Sequence, residues 1–186
     1  MNNFMTWPSS LFVLVGAFLA VFGEAWFNGV RHLLGAQIDL LPALMVYAGL
    51  RTDLITVTLT AFLGGLLFDS LSANPMGVTV LPLFAIGLAI FVNREFILRD
   101  QPFAQTVLGL AASAAAPAMS LLVLLTTGHK PILGWGTLWQ WAVVSVGGAI
   151  ATPICFELFA WLHRALVYSG DIQSSFRPDR EIRRGR

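Results

Sequence analysis

No charged side chain interrupts the chain from Trp7 to Gly23, and a second charge-free run extends from Pro102 to Thr127. Runs of that length dictate the solvent. A helix needs about 20 mainly apolar residues to cross a hydrocarbon core, with roughly 17–25 tolerated. A soluble domain must cover its surface with charge, yet only 11% of the 186 residues are Asp, Glu, Lys or Arg, while 56% are hydrophobic. About 25% charged is usual for a globular domain. The chain reads as an integral all-α membrane protein, a compact bundle of about six transmembrane helices with no soluble domain of its own.

The spans follow from where charge returns. The first runs from Trp7 to Trp26, a tryptophan at each end as interfacial anchor, and nothing basic precedes it as in a cleaved signal peptide. It reads as a retained helix. A connector with Arg31, His32 and Gly35 follows. Leu40 to Leu50 and Leu54 to Phe68 are short spans separated by Arg51-Thr52-Asp53. One long helix would place that triplet mid-membrane at high cost, so a tight interfacial turn is expected. As short spans they must use flanking polar residues, be partly re-entrant, or sit where neighbours thin the bilayer. Ser70 to Gly77 is dense in turn residues, and a fourth helix is expected from Val78 to Val92. Arg94, Glu95, Arg99 and Asp100 mark the next connector. The fifth helix runs from Pro102 to Thr127, His129-Lys130-Pro131 makes a turn, and the last helix lies within Leu138 to Leu162. Residues 1–163 thus form the membrane domain. Residues 164–186 form a basic tail too poor in apolar residues to build a core, read as disordered or resting on headgroups.

Basic residues in loops orient such a bundle. With six spans and both ends cytoplasmic, Arg51, Arg94, Arg99 and the six tail arginines lie inside, nine of eleven, leaving Arg31 and Lys130 outside. Small residues recur four apart: Gly16 and Ala20, Ala61 and Gly65, Gly109 and Ser113, Ala112 and Ala116, Gly148 and Thr152. Each pair shares a helix face and lets backbones approach closely, as expected of a tight bundle. Pro82, Pro117 and Pro153 are expected to kink or break the later helices.

Chemistry is sparse. His32, His129 and His163 fall in loops or at helix ends. Glu24, Asp39, Asp53, Asp69 and Glu157 show no metal-ligand or carboxylate-dyad spacing, and the lone Cys155 sits in an apolar run. No phosphate-binding glycine loop and no nucleophile–base arrangement occurs. Neither catalysis nor a cofactor, a metal or a nucleic-acid partner is expected. Asp69 stands out, because it ends the Gly64-Gly65 helix and opens a small polar turn. A cap accepting backbone N–H bonds near Ser72 is the plain expectation, and a buried charge presented to a partner the alternative. Glu157 reads as an interfacial charge, with Arg164 seven residues on as a possible partner.

Three stretches carry a family resemblance: Leu41-Pro42-Ala43-Leu44-Met45-Val46-Tyr47, Phe62 to Ser72 with Gly64-Gly65 and Asp69, and Pro75-Met76-Gly77-Val78. Together they resemble the MreD family of rod shape-determining proteins. The resemblance covers about a quarter of the chain. It implies a non-enzymatic inner-membrane subunit of the bacterial cell-elongation machinery, which binds MreC directly and works with MreB, RodA and a penicillin-binding transpeptidase in peptidoglycan synthesis. It also implies a six-helix fold similar to the S components of energy-coupling-factor transporters, so a vitamin-binding S component is the alternative function. Pro42, Gly64, Gly65, Asp69 and Gly77 are the positions it marks as shaping the second to fourth helices, and so as structural or partner-binding.

Overall fold

Each charged or Pro/Gly-rich break in the apolar sequence becomes a turn between helices. The computed structural model of the chain describes residues 7–26, 38–72, 75–97, 101–128 and 134–171. Among the described residues run six helices and no strand: α1 Trp7–Trp26, α2 Leu41–Arg51, α3 Leu54–Leu71, α4 Val80–Asn93, α5 Pro102–Thr126 and α6 Trp135–Asp171. Arg31, His32, Gly35, Asn74, Arg99, Asp100, the His129–Pro131 turn and the tail from Arg177 onward lie outside the described residues, as do the side chains of Trp7 and His163.

Successive helices run in alternating directions. Ser10 near the start of α1 accepts a hydrogen bond from Thr56 near the start of α3 (2.7 Å). At the opposite end, Glu24 accepts the backbone N–H of Leu40 just before α2 (2.6 Å). The Arg51-Thr52-Asp53 triplet forms the tight turn its charge demands. Thr52 caps α2 by returning both its N–H (2.9 Å) and its hydroxyl (2.7 Å) to the carbonyl of Ala48. Arg94, at the end of α4, donates to the carbonyl of Thr52 (3.3 Å).

The short second helix has a different reason for being short than any expected above. With 11 residues, α2 is about 16 Å long, half a hydrocarbon core. It touches every one of the other five helices. Of its residues only Tyr47 and Arg51 escape full burial. A helix sheathed by protein need not match the bilayer, so neither thinning nor a re-entrant course is required. Its Val46 and Leu50 join Ile86, Ile90, Ala112 and Phe156 in one core cluster, and its Leu41, Leu44 and Met45 join Val13, Val57 and Phe159 in another. Tyr47 stacks on Phe159 (4.5 Å between centroids) and meets Phe156 edge-on (5.0 Å).

The third helix, by contrast, is not short. It continues past Phe68 through Asp69 to Leu71, and its 18 residues suffice to cross a membrane. Charge at Asp69 does not end it, because that carboxylate is satisfied inside the bundle. Helices α5 and α6 also reach spanning length. Neither Pro117 nor Pro153 breaks them, against expectation. Near Pro117 the Trp141 indole donates to the carbonyl of Ala114 (2.8 Å), so the neighbouring helix binds backbone beside the carbonyl that proline deprives of its donor. Pro82 lies in the first turn of α4, where a missing N–H costs nothing. The last helix carries on to Asp171, beyond the apolar segment, and Arg164 Nε donates to the carbonyl of Ala160 (3.2 Å).

Candidate functional site

Asp69 is 1% exposed, and its carboxylate reaches forward over the turn. Oδ2 accepts the backbone N–H groups of Gly77 (2.8 Å) and Thr79 (3.1 Å), and Oδ1 accepts the Thr79 hydroxyl in a short hydrogen bond. This corrects the expected cap at Ser72. The Ser72 N–H returns to the carbonyl of Phe68 (2.9 Å), and its hydroxyl faces the backbone carbonyl of Asp69 (3.4 Å). The reason is distance along the chain. An Asx cap closes locally, whereas α3 keeps its helical bonds through Asp69 and frees the side chain to gather the N–H groups that α4 leaves unpaired at its start. Those residues form a turn before the helix, so α4 begins at Val80 and not at Val78.

Three of the five marked residues, Gly65, Asp69 and Gly77, build this latch. Gly77 has φ +93°, a left-handed conformation that turns its N–H toward Asp69 and that a side chain would strain. Gly65 lies one turn below Asp69. A Cβ there would stand 2.8 Å from Cα and 2.9 Å from N of Val80, so α3 and α4 meet backbone to backbone. At Gly64 a Cβ would lie 3.0 Å from Leu41 Cδ2, which ties α3 to the first turn of α2. Pro42 occupies that turn and is fully buried. The marked positions thus converge on the α2–α3–α4 junction, although Pro42 makes none of the latch bonds. Thr79, the partner of Asp69, was missed. Its signal was a hydroxyl just after the glycine turn, too common to single out.

A second feature neighbours the latch. A cavity of about 200 Å³ is lined by Asp39, Phe68, Thr79, Ala116, Pro117, Ser120, Gln140 and Val144. It draws polar groups from beside α2 and from α4, α5 and α6. Burial raises the Asp39 carboxyl to about 6, offset in part by the Leu41 N–H that it accepts (2.9 Å). A third feature is apolar: a groove of about 330 Å³ between α1, α2 and α6, bordered by Val15, Gly16, Leu19, Cys155, Leu158 and Phe159. Among the described residues no three His, Cys, Asp or Glu side chains gather as metal ligands would. Glu157 is exposed.

The outer face of the bundle is apolar. Leu19 (61% exposed), Ile55 (74%), Leu122 (62%) and Leu158 (56%) point away from the core. Water penalises so much contiguous hydrocarbon, and lipid does not. Together with three helices long and apolar enough to cross a membrane, this is the make-up of a helical membrane protein. Comparison with family models, with curated proteins and with solved structures found no match.

Proposed function

We propose that this chain is a non-enzymatic subunit of the bacterial cell-elongation complex, an MreD-like protein of the cytoplasmic membrane. On this reading all six helices belong to the membrane domain, with both ends cytoplasmic and the Asp69 latch on the extracytoplasmic side. It binds MreC through its helix surfaces and, with MreB, RodA and a penicillin-binding transpeptidase, supports peptidoglycan synthesis and cell shape. One observation carries the proposal: of the residues of the resemblance, Gly65, Asp69 and Gly77 build the close α3–α4 contact, and Gly64 packs on the first turn of α2, which holds Pro42. The apolar groove between α1, α2 and α6 supports the same reading, because it offers an apolar surface to a partner helix.

Co-expression with a matching MreC provides the test. The two proteins should co-purify in mild detergent, and Gly65→Leu or Asp69→Ala should weaken the complex. Leu19→Trp, at an exposed position in the groove, should weaken it without lowering the melting temperature of the free subunit. Absence of any complex, or purification with a bound vitamin and transporter ATPases instead, overturns the reading.

A further inference from the structure

The cavity beside the latch has a chemistry that partner binding by helix surfaces leaves unused. Its floor is formed by Thr79, Ala116 and Val144, all buried, and its mouth by Gln140, which is exposed. Polar groups enter from four separate elements, which is the pattern of a binding pocket more than of an accidental packing gap. A gap left by imperfect apolar packing would be lined by apolar side chains.

The lining is rich in acceptors and carries negative charge. The Asp39 carboxylate gives one lone pair to Leu41 N–H and keeps others. The Thr79 hydroxyl has its proton committed to Asp69, so it offers the cavity only an acceptor. Ser120 and Gln140 add a hydroxyl and an amide, Phe68 adds an aromatic wall, and among the described residues no Lys or Arg lines the cavity. A carboxylate on a partly apolar wall is unfavourable by itself, and a cation brought to it offsets that cost. The volume of about 200 Å³ equals that of about seven water molecules, so an ammonium group fits.

We propose that this cavity binds a primary ammonium group, with Asp39 as counter-ion and Thr79, Ser120 and Gln140 as hydrogen-bond acceptors. The inference does not depend on the proposed function. Two sources offer this chemistry, a free small amine and the headgroup of phosphatidylethanolamine. The latter is within reach because Trp135 and Trp139, exposed on the first turns of α6, are typical of the headgroup zone.

The test uses the full chain in nanodiscs of phosphatidylcholine, whose quaternary ammonium has no N–H to donate. In one arm ethanolamine is titrated and the melting temperature followed. In the other, phosphatidylethanolamine is mixed into the bilayer and lipid retained by the protein is read by native mass spectrometry. Stabilisation by ethanolamine identifies a soluble ligand, and selective retention of phosphatidylethanolamine identifies a lipid. Asp39→Asn retains an acceptor for Leu41 N–H and should weaken either interaction about ten- to hundredfold. Gln140→Ala, at an exposed site that folding does not need, should weaken it several-fold and serves if Asp39→Asn does not fold. No response in either arm, or a response that both variants leave intact, overturns the proposal.

Discussion

Where α3 meets α4, a buried carboxylate collects three donors; where α5 crosses α6 at Gly109 and Gly148, the helices close on missing side chains, with the Trp141 indole bonded to the Ala114 carbonyl further along. The first seam is closed by Asp69 on Gly77 and Thr79. The second is closed by absence of side chain. A Cβ at Gly109 would collide with the Thr152 hydroxyl and stand 2.6 Å from the carbonyl of Gly148, and one at Gly148 would overlap Ser113. Thr152 returns its own hydroxyl to Gly148 within the helix (2.8 Å) and gives nothing to α5. In lipid the hydrophobic effect does not press helices together, so close backbone packing and interhelical hydrogen bonds must do so. The bundle uses them at different places. Adding or removing the same few atoms should therefore have opposite effects at the two seams.

The largest effect belongs to Asp69→Ala. It leaves two buried N–H groups and a hydroxyl without their acceptor, at a cost of about 3–4 kcal/mol. Asp69→Asn keeps one acceptor oxygen and should lose about half as much. Reversible unfolding in mixed micelles measures both. Equal losses would mean that charge, not hydrogen bonding, holds the turn.

Next comes the mirror experiment, one added methyl at the other seam. Gly109→Ala must push α5 from α6 or bend one of them, because beside the Thr152 hydroxyl stands the backbone carbonyl of Gly148, 2.6 Å from the added Cβ, which cannot rotate away. Overpacking of this kind costs about 1–3 kcal/mol. The same change at Gly23, where a Cβ meets nothing within 4 Å, should be neutral or slightly stabilising, since alanine favours helix. Similar losses at both sites would show that the seam has slack.

How much of this was legible in the residues alone differs between the seams. Charged and turn residues marked where helices part, although Asp69 itself lies inside α3. Spacing of four also put Gly109 with Ser113 and Gly148 with Thr152, but spacing names a face and never the face opposite, so their meeting was not readable. Asp69 stood out, yet its bonds span 8 and 10 residues and depend on how α4 is laid against α3. The burial of α2 was hidden for a further reason. Leu41-Pro42-Ala43-Leu44-Met45-Val46 is as apolar as any lipid-facing run, and hydropathy does not distinguish a protein interior from a bilayer. The cavity was least visible of all, because Asp39 and Gln140 lie 101 positions apart in the chain.

Thr79→Val then tests the latch at the scale of one group. Valine fills the same volume and keeps the backbone N–H on Asp69, but the carboxylate loses its hydroxyl donor. A loss of about 1.5–2 kcal/mol is expected, the range for a hydrogen bond to a charged group. A negligible loss would place the strength of the latch in its two backbone bonds.

The smallest expected effect is the most diagnostic, because its sign differs. Ser113 is fully buried at the α5–α6 crossing, and its hydroxyl has no hydrogen-bond partner among the described residues. Desolvating a hydroxyl without a partner is unfavourable, so the group weakens the seam that it occupies. Ser113→Ala removes the oxygen, keeps the Cβ that packs on Gly148, and raises helix propensity. Stability should stay level or rise by up to about 1 kcal/mol. Deleting a hydroxyl would then be costly at residue 79 and harmless at residue 113, within one small bundle. A loss above about 1 kcal/mol at Ser113 would instead show that the hydroxyl is bonded across the interface, and that both seams rest on polar groups.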